Sequence, residues 1–550
     1  MYQDQKIYLG KADDEKIFIN PQMANRHGMI AGATGTGKTV TLKVLAEAFS
    51  DCGVPVFLAD VKGDLAAMCQ PGTETDDMAQ RLDSFGLRQE GFTFQSYPTT
   101  YWDVYGEKGL PLRTTISEMG PLLLSRILGL NQTQEDVLTV VFKIADEEGL
   151  LLLDIKDLNS MLQYISANSK EYSVRYGNIA KQSIGAIQRS LLALGEQGAE
   201  NFFGEPALSI SDWLSVDAAG RGVINVLDCQ KLILNPTMYS TFLLWMLSEL
   251  YELLPEAGDL PRPKLVFFFD EAHMLFDTAS RNLLQKIEQV VKLIRSKGVG
   301  IFFITQNPSD IPDDILGQLG NKVQHALHAY TPKERRGLKA AADSFRENPD
   351  FDTTQALQNL GIGEALVSVL DTEGIPTVVQ KVKILPPQSQ MGALDDVMRD
   401  SQIKASPLYG KYIDMVDRDS AYEFLERLAM TEEENIRKAE EERIRAKEEA
   451  EAAKEQMKAE AAAEKERLRQ EAAELKAREK EEAAALKEKE REERKVKSTI
   501  NTVVGSATGT LGRQIGKTLG GAVGGTFGKT LGGNVGATLG RGILKTFLKL

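Results

Sequence analysis

At 550 residues, 42% hydrophobic and 26% charged, the chain has length for roughly three to four domains and fits a soluble globular protein with one highly charged segment. Its three scattered cysteines (Cys52, Cys69, Cys229) and four histidines (His27, His273, His325, His328) show neither a disulfide framework nor metal-ligand spacing. The net charge of −14 leaves about −17 on residues 1–430, which argues against nonspecific coating of nucleic acid but not against a locally basic channel.

Met1-Tyr2-Gln3-Asp4-Gln5-Lys6 is polar and shows no secretory signal, so a cytoplasmic protein is expected. Residues 1–27 suggest a short β element, with Lys6–Gly10 and Lys16–Ile19 as strands. Gly28-Met29-Ile30-Ala31 reads as a buried strand. Gly32-Ala33-Thr34-Gly35-Thr36-Gly37-Lys38-Thr39 follows and reads G-x-x-x-x-G-K-T. Beyond it, Val40, Val44, Leu45 and Ala48 recur at helical spacing. Strand, glycine-rich loop and helix in that order make a phosphate-binding loop. Backbone N–H groups cradle the phosphates, Lys38 reaches the β/γ-phosphates and the Thr39 hydroxyl coordinates Mg²⁺. The nucleotide-binding stretch therefore runs from Gly32 to Val40.

Val54–Asp60 reads as a second parallel strand, buried on both faces. It leads to Asp60, Lys62 and Asp64, which lie either near the nucleotide or a subunit boundary, or in an ordinary polar loop. Residues 110–215 are expected to be a helical insertion. In it Asn131 and Gln134 form a cap, Val137, Val140, Val141 and Ile144 form a stripe, and Leu150–Leu153 and residues 180–195 continue the helical pattern. The sheet resumes at Gly222–Asp228, and an apolar helix spans about Thr237–Leu254. Lys264–Phe269 then runs into Asp270-Glu271, the pattern of a Walker B strand. Asp270 would hold Mg²⁺ through water and Glu271 would polarise the attacking water.

A helix carrying Leu283, Ile287, Val290, Val291 and Ile294 ends at Arg295-Ser296-Lys297-Gly298. The strand Val299–Gln306 follows; Gln306 either orients water and senses the γ-phosphate or caps its own loop. Lys322–His328 and Glu364–Leu370 read as the last strands. The compact body is expected to end near residue 400, with 401–430 as a connector.

Ala31–Thr39, Phe269-Asp270-Glu271-Ala272-His273 and Arg295–Gly298 through Thr305-Gln306-Asn307-Pro308 together resemble the HerA/FtsK superfamily of ring-forming P-loop motor ATPases, above all its bacterial HerA-like members. The resemblance covers about residues 1–400. It implies an α/β, RecA-like fold with a parallel central sheet, a homo-hexamer, ATP hydrolysis with Mg²⁺, a polar sensor at Gln306 and an arginine finger. Arg295 stands where that family often places an arginine, near a sheet edge open to a neighbour; the plain alternative is a surface arginine at a helix C-terminus. Residues 1–27 are too few for the N-terminal barrel of HerA helicases, which counts against docking of a nuclease.

Residues 431–498 hold 22 acidic and 19 basic side chains and few large apolar ones. Dense i, i+4 pairs support a solvated helical stalk of about 100 Å, with disorder as the alternative. In residues 499–550, glycines recur every fourth position from Gly512 to Gly540 beside Arg513, Lys517, Lys529, Arg541, Lys545 and Lys549. Glycines at roughly 1 kcal/mol each forbid a lone helix in water. The tail is therefore expected to fold on itself, on a partner or at an anionic membrane surface, or to be a plain linker.

The leading expectation is a cytoplasmic ATPase, at most peripheral to the inner membrane, that forms a ring and moves DNA. Its rivals are a polypeptide-moving, secretion-type motor and a membrane-associated scaffold that uses ATP for assembly.

Overall fold

The computed structural model describes residues 1–258, 260–277 and 281–493. The glycine-rich tail, the end of the charged segment and the Leu283 side chain lie outside the described residues. The chain divides into two units, Met1–Leu425 and Glu426–Leu550.

The first unit is built on one sheet of thirteen strands. In chain order these are β1 (Tyr2–Gln3), β2 (Lys6–Ala12), β3 (Glu15–Ile19), β4 (Gly28–Ala31), β5 (Val56–Asp60), β6 (Thr99–Asp103) and β7 (Leu110–Pro111). After them come β8 (Ile224–Asp228), β9 (Leu265–Phe269), β10 (Val299–Thr305), β11 (Asn321–His325), β12 (Glu364–Ser368) and β13 (Gln380–Ile384). The spatial order β7-β6-β8-β5-β9-β10-β4-β11 is parallel throughout. β12, β13, β2, β1 and β3 extend it antiparallel.

Sequence pattern explains the parallel half. β4, β5, β8, β9 and β10 are buried at every position, as strands covered by helices on both faces must be. Alternation then sorts their aromatic side chains. Phe268 of β9 and Phe302 of β10 lie 5.3 Å apart and pack under Phe49 of helix α1 (Lys38–Asp51). Phe267 stacks on Phe57 at 4.5 Å and Phe269 on Phe303 at 5.6 Å, on the other face.

Between β5 and β6 lies α2 (Asp76–Phe85). Between β7 and β8 stands a helical block: α3 (Ile116–Ile127), α4 (Gln132–Glu147), α5 (Ile155–Ala167), α6 (Ser169–Tyr176) and α7 (Lys181–Glu196). Asn131 and Gln134 close the α4 N-terminus as a reciprocal capping box, and Val137, Leu138, Val141 and Ile144 are buried. Leu150–Leu153 is not helical. Leu152 and Leu153 are buried all the same, and backbone bonds from Ile116 and Ser117 to their carbonyls hold the segment against α3.

Four strands were not legible in the pattern, the two-residue β1 among them. β6 and β7 begin the insertion's flank, and β13 carries lysines at alternate positions, both exposed. β13 also joins β2 to β12, so the N-terminal strands belong to the main sheet. The compact unit runs past residue 400. Arg399, on the helix Asp396–Ala405, donates to the Asp228 carboxylate at 2.8 Å, both side chains buried.

The helix Ala421–Glu493 spans 73 residues, about 110 Å at 1.5 Å per residue. From Glu426 on, its described side chains are almost all exposed, with i, i+4 ion pairs such as Glu434–Lys438. Among the described residues no helix is long and apolar enough to cross a membrane.

Candidate nucleotide site

The C-terminal ends of β4, β10, β9 and β5 lie side by side, and the chemistry collects there. β4 leads into the loop Gly32–Gly37. Gly35 and Gly37 take φ of +78° and +115°, a left-handed backbone that side chains disfavour. A β-carbon on Gly32 would stand 2.5 Å from the Cβ of His325. The loop is tied down by Ala33 N–H to Ala326 O (2.9 Å), Gly363 N–H to Thr36 O (3.0 Å) and the Thr36 hydroxyl to Ala33 O (2.8 Å).

Helix α1 opens at Lys38 with no side-chain cap and no acidic residue in its first turn, so its N-terminal N–H groups remain for an anion. The buried Lys38 Nζ donates to Gly32 O at 2.6 Å and Ala33 O at 3.0 Å. Thr39 and Val40 are half-buried in that first turn, and Thr34 is exposed. Burial, and after it the Lys62 ammonium, hold Lys38 below the ordinary lysine value.

The histidine at the end of β11 backs this loop. The Glu364 carbonyl lies 2.9 Å from His325 Nδ1, so that nitrogen carries the proton. Nε2 therefore accepts from the Thr41 hydroxyl at 2.8 Å. Burial keeps the ring neutral, pushing its pKa down to about 4. A polar residue ending a buried strand was the available signal for this role.

Asp270 follows β9 directly, and its pKa is pushed up to about 6 by burial and then by Glu271. Glu271 takes φ +48°, a strained backbone that residues at functional sites adopt. Its N–H donates to Asp270 Oδ1 at 2.9 Å. The Tyr239 hydroxyl, on α8 (Pro236–Leu253), donates to the Asp270 carbonyl at 2.8 Å. At the end of β10, Gln306 Nε2 stands 3.4 Å from Glu271 Oε2. His273, first residue of α9 (His273–Asp277), places Nδ1 also 3.4 Å from that oxygen without hydrogen-bond geometry.

The loop after β5 divides its charges. Asp60 folds onto its own turn, accepting from Gly63 N–H at 2.7 Å and Leu65 N–H at 3.1 Å. Burial, then Asp64, push it up to about 7. Lys62 instead reaches out, with Nζ 3.2 Å from Glu271 Oε1.

Gly32–Thr39, Asp270, Glu271 and Gln306 are thus brought to one end of the sheet, and Arg295 is not. It is exposed in the turn between α10 (Arg281–Ile294) and β10, at the opposite ends of the strands, roughly 20 Å away along β10. β10 lies between β4 and β9, so the expected sheet edge is instead the strands' N-terminal end. Arg295 acts there on His27, whose pKa is pushed down to about 4, mainly by burial. His27 accepts from Ile301 N–H (3.1 Å) and donates to Val291 O (2.9 Å).

The loop can hold the phosphates of a nucleotide, and Thr39 with Asp270 offers the hard oxygen ligands that suit Mg²⁺. A P-loop at the end of a parallel, RecA-like sheet, with acidic residues two strands away, defines a P-loop ATPase. The chain belongs to the family Helicase HerA-like C-terminal, which matches residues 5–530, and is a P-loop ATPase of the HerA/FtsK type.

It is similar to the DNA double-strand break repair helicase HerA of Saccharolobus solfataricus, 22% identical over 374 residues, which cover 66% of each chain. A probable helicase of Methanocaldococcus jannaschii is 23% identical over 380 residues, 66% of this chain and 67% of that one. The chain thus spans about two thirds of the length of these curated relatives. Among solved structures it is similar to VirB4 of Thermoanaerobacter pseudethanolicus (17% identity, 70% of this chain and 97% of that one, TM-score 0.44). It is also similar to the plasmid coupling protein TrwB in complex with a non-hydrolysable GTP analogue (13% identity, 72% and 92%, TM-score 0.46).

Proposed function

We propose that the protein hydrolyses ATP with Mg²⁺ and uses the energy, as a homo-hexameric ring, to move along DNA. The observation that carries this reading is the meeting of Lys38, Thr39, Asp270, Glu271 and Gln306 at one end of the sheet. The relatives named as DNA double-strand break repair helicases support DNA as the polymer.

Lys38 would exchange its two loop carbonyls for phosphate oxygens, supplying counter-charge as the terminal phosphoryl group leaves. Thr39 and Asp270 would hold Mg²⁺, which when bound neutralises charge on the β- and γ-phosphates. Glu271 would orient the attacking water and accept its proton. Gln306, touching Glu271, would fix the same water from the neighbouring strand.

We assign the trans arginine to Arg295. In a head-to-tail ring one subunit's strand N-termini can face the next subunit's nucleotide end, which is the contact this role needs. Arg295→Ala and Glu271→Gln proteins should each be nearly inactive alone and regain partial activity when mixed. Normal hydrolysis by Arg295→Ala removes the assignment. The tail, residues 499–550, we read as a self-association or membrane-surface element, which would place a cytoplasmic ring at the inner membrane.

The deciding experiment measures ATPase rate with single- and double-stranded DNA over a salt series. Stimulation that fades as salt rises supports a DNA motor. Stimulation by unfolded polypeptide instead transfers the reading to a protein-moving ATPase, and liposome binding lost on tail removal, without either, to a scaffold.

A further inference from the structure

Lys62 stands outside the phosphate-binding loop and the Walker B strand, yet it makes the closest charged contact to the candidate base. Its backbone is pinned: the Gln230 side chain donates to the Lys62 carbonyl at 3.0 Å, and Gly63 beside it takes φ +78°. Its side chain is 45% exposed, so the stem is free to swing. Burial works against its charge, but Asp270 and Glu271 hold the ammonium above the ordinary lysine value. Lys38 feels that ammonium directly. Two lysines, one from α1 after β4 and one from the β5 loop, on either side of β10 and β9 in the sheet, therefore border the same acidic pair.

We infer that Lys62 is a second ligand of the terminal phosphate and, until that phosphate arrives, a latch that keeps Glu271 paired. The inference deepens the proposed ATPase reading and rests on it. The chemistry is a competition. An attacking water must touch both its base and the phosphorus, so the two are one water apart, and a cation on the base is within a lysine's swing of the phosphate. A carboxylate paired with an ammonium is a weaker base. A terminal phosphate carries more charge and more acceptor oxygens than a carboxylate, so it draws the ammonium away. Glu271 is then released only when the nucleotide has a γ-phosphate. ADP, lacking it, leaves the pair closed.

The test is binding, not turnover. Fluorescent ATP and ADP analogues are titrated, with Mg²⁺, into the full-length protein and its Lys62→Ala, Lys62→Arg, Glu271→Gln and double variants. Lys62→Ala should weaken ATP binding about tenfold, the size of one charge-assisted contact, and leave ADP binding unchanged; Lys62→Arg should retain most of the affinity. Glu271→Gln should tighten ATP binding several-fold by freeing Lys62. That gain should vanish in the Lys62→Ala/Glu271→Gln protein. The inference is overturned if Lys62→Ala affects ATP and ADP equally or neither, or if the Glu271→Gln gain survives without Lys62. Lys38→Ala separates the two levels. If wild type binds neither nucleotide, or Lys38→Ala binds as well as wild type, the ATPase reading itself fails. Lys38-dependent binding that ignores Lys62 sinks the latch alone.

Discussion

Two regions of this chain put charge to opposite uses. At the nucleotide end of the sheet, Lys38, Asp270 and Glu271 are all less than a tenth exposed, and the charge of each acid acts on Lys38. Along the helix from Glu426 the charges are as dense, but water solvates almost every described one. The difference teaches that a charge has consequences in proportion to the water it has lost. Burial makes the first region sensitive to single atoms. The second tolerates almost any side chain that favours a helix.

The sharpest way to break that contrast is one kind of truncation in both places. Phe268 is fully buried between Phe49 and Phe302, so Phe268→Ala should cost about 3–5 kcal/mol of stability through lost burial and a cavity. Leu468 is 58% exposed, and Leu468→Ala should stay within about 0.5 kcal/mol, because alanine is the better helix former. Urea midpoints measure both. A comparable loss at Leu468 would mean that its face of the helix is covered in solution.

Next in size is the site. Lys38→Ala should lower ATP turnover by roughly 10²–10³-fold, the scale of removing one preorganised charge from a phosphoryl-transfer site. Glu271→Gln should be as slow yet still bind ATP. Wild-type rates in both variants would sever the site from the activity.

How much of this was legible follows the same line. Motifs that depend on local backbone were readable: the glycines of Gly32–Gly37 because their φ values exclude side chains, and β9 because five apolar residues end in acids. Interactions between distant segments were not. Lys62 reaches Glu271 across more than two hundred residues of chain, and His325 backs a loop nearly three hundred residues earlier. Neither partnership leaves a local pattern. β13 was hidden for a related reason, since its lysines alternate toward the solvent and its register is set by β2 and β12. Arg295 was located correctly along the chain and misjudged in space, because sequence gives a strand's neighbours in time and not in the sheet.

The histidines give a smaller effect with a fixed sign. His325 is depressed from 6.5 to about 4, so between those values the unfolded chain binds the proton and the folded one does not. Its contribution to stability is full above pH 6.5 and is lost as pH falls toward 4, on the order of 3 kcal/mol. Asp270 and Asp60, raised to about 6 and about 7, pull the other way across the same window. The total pH profile therefore hides the effect, and a comparison exposes it. His325→Gln should lose less stability than wild type between pH 7 and pH 4, and the wild-type ring signal should titrate near pH 4 by NMR. A midpoint near 6.5 would mean that water reaches the ring.

The smallest effects lie on the long helix, and their order is informative. Glu434 precedes Lys438 by four residues, with N and O 2.9 Å apart. Arg437–Glu441 and Arg467–Glu471 run base first and are longer, at 3.8 and 3.6 Å. The acid-first order agrees with the helix dipole, since it sets the negative group toward the N-terminus. Glu434→Gln should therefore loosen nearby amides by about 0.3–0.5 kcal/mol in hydrogen exchange at low salt, and Glu441→Gln by less. Both losses should shrink in high salt, because every partner is more than half exposed and screening reaches it. Equal losses would leave orientation without influence here. A loss that persisted in high salt would mean the pair is shielded from water, and the contrast between the two regions would no longer hold at that turn of the helix.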